Sequence, residues 1–138
     1  MEFLNEIINE AYERFFLDPA NGCEFFREFY DRLFNKSSEI KAKFSEVDME
    51  KQYEILNKGM LFIIDNYSCD EPNEYINNLI TLHDSNHLNV TPAMFDIWQD
   101  TFIETLRHFD KKFSGDKELR WNLVLGKTLS QLKKGNNP

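Results

Sequence analysis

The 138-residue chain has only five Gly, four Pro and two Cys, and no stretch approaches the roughly 18 consecutive apolar residues of a membrane-crossing helix. No internal repeat, low-complexity tract or linker appears. Cys23 and Cys69 stand 46 residues apart with no second pair near either. Neither a disulfide scaffold nor a zinc ribbon can be built from them, and they read as free thiols. Positive charge is also scarce, 16 Lys and Arg against 24 Asp and Glu, for a net charge of −8. That balance argues against nucleic acid and anionic membrane surfaces as partners, since both require clustered cations. The first residues, MEFLNEIINEAYERFF, carry acid at once and show helical periodicity, unlike a signal peptide. A cytoplasmic location is expected. The length suits one domain over residues 1–138, with 133–138 as a fraying tail.

Aromatic residues, by contrast, are abundant: thirteen Phe, five Tyr and two Trp, enough flat side chains to fill a core and also to wall a flat ligand. Nothing alternates with period two for long, so the fold class is all-α, with six or seven helices. Asp18-Pro19 and Thr91-Pro92 each supply an N-cap followed by proline at the first helical position, and Asp70-Glu71-Pro72 offers a looser version of the same signal. Ser114-Gly115-Asp116 opens the last helix. Apolar stripes follow at helical spacing. They run Phe26, Phe29, Tyr30, Leu33, Phe34; then Met49, Gln52, Tyr53, Leu56, Met60, Ile63; then Ile76, Leu79, Ile80, His83 and on to His87. Two more run Phe95, Trp98, Phe102, Leu106, Phe109 and Trp121, Val124, Leu125, Thr128, Leu132.

Three polar side chains interrupt those stripes: Tyr30, Gln52 and His83. A buried polar atom without a partner costs a few kcal/mol, so each needs an explanation. One is a shared cavity with something in it to bind; the other is that each meets a backbone carbonyl or a water. His83 and His87 also form a His-x-x-x-His pair, but without the intervening glutamate or a nearby third ligand that a zinc site requires.

The segment FYDRLFNKSSEIKAKF, residues 29–44, resembles the second and third helices of bacterial globins, the haem domains of flavohaemoglobins and single-domain haemoglobins. In that family a tyrosine on the second helix precedes by fourteen residues a phenylalanine wedged against the haem, and Tyr30 and Phe44 stand in that relation. LHDSNHLNVTPAMF resembles the segment with the proximal histidine, the following turn and a valine-x-proline helix start, here His83, Val90 and Pro92. The 31 residues from Gln52 to His83 also suit the family's distal-to-proximal separation.

The resemblance implies a globin fold of six to seven helices, three over three around a haem pocket, and haem b (iron protoporphyrin IX) as cofactor. His83 would be the metal ligand, its second nitrogen donating to a carbonyl one turn back, with His87 as the rival. Leu79 would press on the same haem face, and Phe44, Leu56, Phe95, Trp98 and Val90 would complete the cofactor pocket. Tyr30 and Gln52 would stabilise the distal ligand as hydrogen-bond donors; a register shift of one would put Lys51 or Tyr53 in place of Gln52. Flavohaemoglobins orient the proximal histidine with a tyrosine and a glutamate, whereas the matching positions here offer Phe95 and, near Gly135, no acid. Ser38 stands where many relatives have proline. The implied function is a haem protein that binds dioxygen, NO or CO, with high oxygen affinity. Alternatives are an NO dioxygenase served by a separate reductase, a haem-based gas sensor, and a haem-free globin that binds a protein partner. A monomer or weak homodimer is expected, with no reductase domain in the chain.

Overall fold

A computed structural model describes residues 2–84 and 87–135, and among these the secondary structure is entirely helical. The seven helices are α1 (Glu2–Phe15), α2 (Pro19–Lys36), α3 (Ser38–Lys43), α4 (Met49–Asn66), α5 (Glu74–Leu82), α6 (Pro92–Phe109) and α7 (Gly115–Gly135). Their starts follow local chemistry. Asp18 and Thr91 accept hydrogen bonds from the Ala20 and Met94 amides, with proline next in each chain, so the expected caps of α2 and α6 are present. Ser37 and Asp48 cap α3 and α4 in the same way, by accepting from Ile40 and from Glu50 and Lys51.

Three boundaries differ from the sequence reading. Helix α5 begins after Asn73, not at Asp70-Glu71-Pro72: Asn73 is extended (φ −68°, ψ 169°) and its side chain accepts from the Ile76 amide. An asparagine with its carbonyl free to bond the third residue of a helix is the stronger start, and Pro72 just before it keeps the chain extended. The same helix stops at Leu82, so His83 is its C-cap and His87 is not on its face. The chain folds back there: the Leu88 amide bonds the Leu82 carbonyl, the Val90 amide bonds that of His83, and Asn89 takes a left-handed conformation (φ 52°). Asparagine tolerates that region better than most residues, which makes it a natural hinge for a tight loop. At the other end, the stretch expected to fray from 133 stays helical through Gly135, and Lys133 pairs with Asp96; residues 136–138 lie outside the described residues.

Helix α2 crosses α4 and α6, while α7 packs against α6, α4, α5 and α1. The α2–α4 crossing is close because Gly22 faces Asn57: a Cβ at position 22 would collide with the Asn57 amide. Gly59 likewise makes room for the Tyr75 hydroxyl at the approach of α5 to α4. Between α1, α2, α6 and α7 lies a continuous aromatic core. Phe16 meets Phe25 edge-on at 4.9 Å, Phe25 meets Phe26 at 5.2 Å, and Phe102 stacks within 5.4 Å of Trp98 at 17°. Offset and edge-to-face pairs of this kind add about 0.5–1.5 kcal/mol each beyond the area they bury. No helix among the described residues is long and apolar enough to cross a membrane, and both cysteines are free.

Candidate functional site

The three polar side chains that interrupt the apolar stripes all have partners. His83 sits where the last turn of α5 ends, and its Nδ1 lies 2.8 Å from the Leu79 carbonyl oxygen one turn back. A carbonyl can only accept, so Nδ1 carries the proton and Nε2 keeps its lone pair. Burial lowers the His83 pKa from its usual value, more than the Leu79 bond raises it, so the ring is neutral at neutral pH. A neutral imidazole with one nitrogen tied to a carbonyl and the tautomer thereby set is the form in which histidine binds a metal.

On the facing helices, the Gln52 amide of α4 donates to the Tyr30 hydroxyl of α2 at 3.0 Å. Tyr30 is 2% exposed, and burial raises its pKa well above the ordinary phenol value, so it stays a neutral O–H. Because its oxygen already accepts from Gln52, its own proton is free to rotate toward a third group. The neighbouring positions divide by exposure: Lys51 is exposed and Tyr53 is buried, its ring 5.9 Å from that of Tyr30 and under the Arg27 guanidinium at 5.5 Å. Of these three residues of α4, Gln52 is the one hydrogen-bonded to Tyr30.

Most of the apolar side chains expected to line the pocket are covered only in part. Phe44, Leu56, Leu79, Val90 and Trp98 are half-buried, packed against the core without being enclosed by it. Phe95 is buried, with its ring 5.9 Å from the His83 ring. The Phe44 ring meets Tyr30 edge-on at 5.3 Å, and Trp98 meets Phe29 at 5.1 Å, so the walls are continuous with the aromatic core. His87 is exposed, its Nδ1 2.7 Å from an Asp84 carboxylate oxygen, in the loop beyond α5.

Two contributors have no counterpart in the sequence reading. The Lys43 ammonium, next to Phe44, donates to the Leu88 carbonyl at 2.9 Å and so joins the end of α3 to the loop that follows His83. Asn66, fully buried at the end of α4, ties α7 to the start of α5. Lys43 gave no sequence signal, because a lysine on a short polar helix looks like any solvated cation. Asn66 did give one: it continues the Met60 and Ile63 stripe, a polar residue at a core position.

The sequence pattern of the globin family matches residues 27–132, from the middle of α2 to near the end of α7. Among solved structures the chain is similar to the Pseudomonas aeruginosa PAO1 protein PA3967, described as structurally highly homologous to a human hemoglobin. The two share 21% identity with a TM-score of 0.85, over 98% of this chain and 99% of that one, which is a likeness of fold. No curated protein matches the chain significantly in sequence.

Proposed function

The chain belongs to the globin family, and from that premise we propose that it is a haem protein that binds dioxygen reversibly and tightly, with His83 as the iron ligand and Tyr30 as the principal distal donor. Membership carries haem binding and the binding of diatomic gases in general; the residues, the haem type and the preferred gas are our reading. The described residues fit such a group. Haem needs one neutral nitrogen and two apolar walls with surface to spare, and this chain offers His83 in the required tautomer and a ring of apolar residues left half-covered.

Bound haem b would supply coordination of a small gas; the protein's part is to orient and to hydrogen-bond. His83 presents Nε2 while the Leu79 carbonyl holds the ring at Nδ1, and Phe44, Leu56, Leu79, Phe95, Trp98 and Val90 would form the apolar surround that keeps water out. Tyr30 would offer its hydroxyl proton to a bound gas, and Gln52, by donating to the phenol oxygen, fixes the phenol's direction and strengthens it as a donor. A hydrogen bond to a partly charged acceptor contributes about 1.5–3 kcal/mol, so this donor alone can slow gas release by roughly tenfold to a hundredfold.

The observation that carries the reading is the Gln52–Tyr30 pair: one N–H of the amide is given to the phenol oxygen, and the phenol, already accepting, keeps its own proton to donate. Binding is favoured over oxygen-activating chemistry by the proximal side. The partner of His83 Nδ1 is a neutral carbonyl, and the nearby ring of α6 is Phe95, which cannot accept a proton, so the imidazole is not pushed toward an anion.

Absorption spectra of the haem-loaded protein, oxidised, reduced and under CO, test the assignment. A sharp carbonmonoxy band is expected, together with slow oxygen release in stopped flow. A chain that cannot be loaded with haem would defeat the reading and return the fold to partner binding. Rapid nitrate production from NO with an added reductant would replace storage by dioxygenation.

A further inference from the structure

Helix α5 is nine residues long, too short to hold a direction of its own. We propose that Asn66 positions the His83 imidazole, by coupling α7 to the first turn of α5. The proposal rests on His83 as the iron ligand.

Asn66 is 0% exposed, yet its amide is used at both ends. Nδ2 donates to Thr128 Oγ1 at 2.9 Å and to Gln131 Oε1 at 2.8 Å, both on α7. Oδ1 accepts from the Asn73 backbone amide at 3.2 Å. Asn73 is in turn the cap of α5: its side-chain oxygen accepts from Ile76 at 2.9 Å and its Nδ2 donates to the Phe62 carbonyl at 3.1 Å. Lys127, also on α7, donates to the Tyr67 carbonyl at 2.9 Å and to that of Cys69, so the connector between α4 and α5 is gripped from α7 along its length. Asn66 is buried with both ends of its amide paired, which makes the arrangement strongly directional.

The lever is geometric. From Asn73 to His83 the helix rises roughly 15 Å at about 1.5 Å per residue, so a tilt of about 4° at the cap moves the far end by about 1 Å. The imidazole travels with the helix because Nδ1 is bound to the Leu79 carbonyl of the same helix. Its neighbour on α6, the Phe95 ring at 5.9 Å, packs against it but offers no hydrogen bond. Direction therefore reaches the imidazole through α5, whose far end is steadied by the Leu88 and Val90 amides and whose first turn is set by the Asn66 relay.

Resonance Raman spectra of the reduced, haem-loaded protein read the iron–histidine stretch, which responds to imidazole orientation and not to overall stability. Asn66→Leu is expected to shift and broaden that band. Thr128→Val, an isosteric change on α7 that removes one acceptor of the relay, is expected to shift it less. Phe25→Leu in the aromatic core should lower the melting temperature and leave the band in place. Amide exchange at 76–82 in the haem-free Asn66→Leu chain should also quicken relative to wild type. An unmoved band in both relay variants, or an equal shift in Phe25→Leu, would overturn the proposal; should Asn66→Leu fail to fold, Thr128→Val decides. A haem-loaded wild type with no iron–histidine band would remove the His83 assignment and this proposal with it, a result distinct from a band that stays put.

Discussion

Where α1, α2, α6 and α7 meet, Phe16, Phe25, Phe26, Phe29 and Phe102 are at most 1% exposed, each covered by another ring. At the end of α3 and on α4 and α5, apolar side chains such as Phe44, Leu56, Leu79 and Ile80 stop half-covered, and polar groups are tied off in small relays. The first region is complete in itself. The second leaves apolar surface to spare, and it is this second region that holds His83, Tyr30 and Gln52. Substitutions should therefore sort by region: those among the rings change stability, and those in the open half change what the protein binds.

The harshest test of that division is His83→Ala. Stable haem loading should be lost, as read by titration of the haem-free chain with hemin, while the far-ultraviolet circular dichroism stays helical. His87→Ala, on an exposed side chain in the loop beyond α5, should load normally. The reverse pattern would move the ligand to His87 and break the division at its centre.

Next in size is Phe102→Ala, in the middle of the closed half. Phe102 contacts Phe16, Phe25, Phe26, Phe29, Trp98 and Trp121, so truncation leaves a void with rigid walls. A loss of about 3–5 kcal/mol in urea unfolding is expected. Where the variant still folds, its carbonmonoxy spectrum should match wild type. A changed spectrum would mean that the stacked Trp98 transmits the defect, and that the two regions are less separate than their burial suggests.

The closed half was legible in the sequence because it obeys one rule. Phe26, Phe29, Leu33, Phe102, Leu106, Trp121 and Leu125 recur at helical spacing, and the structure buries each of them. The caps at Asp18 and Thr91 were legible for a similar reason, since a cap is local chemistry. Pairings across the chain were not. That Gln52 would meet Tyr30, or that Asn66 would join Thr128 to Asn73, depends on how helices cross, and spacing within one helix says nothing of that. The end of α5 was misread for a third reason. His83 and His87 share a helical period, but the chain leaves the helix at Leu82 and folds back through Asn89, a tertiary choice that periodicity does not record.

A subtler division runs inside the open half, between Tyr30 as the proposed donor to the gas and Gln52 as its support. Tyr30→Phe deletes the uncommitted proton and should raise the oxygen dissociation rate at least tenfold, about 1.4 kcal/mol or more of lost stabilisation. Gln52→Leu removes the support but leaves the phenol, so its effect in the same stopped-flow experiment should be smaller. Equal effects would show that both side chains touch the gas. A larger effect for Gln52→Leu would reverse their roles.

An effect of comparable size lies back in the closed half, at the buried carboxylate where α6 ends. Asp110 is 6% exposed and accepts from the Lys112 amide at 2.9 Å, the Lys117 ammonium at 2.9 Å and the Arg14 guanidinium at 3.4 Å. Burial pushes its pKa up, but the bonds from Lys117 and Lys112 and the charges of Lys117 and Arg14 outweigh it, and the value falls below the usual 3.8. A carboxylate with a depressed folded pKa contributes stability that is fully present above the unfolded value and is lost as pH falls through the folded one. Asp110→Asn should thus cost about 1–2 kcal/mol at pH 7, where the charge-assisted bonds are intact. The gap between variant and wild type should hold down to about pH 4 and close below it, in urea unfolding of the haem-free chain as a function of pH. A gap that closed near neutrality would trace the tie to a group other than this carboxylate. A gap that persisted in strong acid would mean that the side chain stabilises the turn by shape and neutral hydrogen bonding, leaving the closed half with no charged dependence there at all.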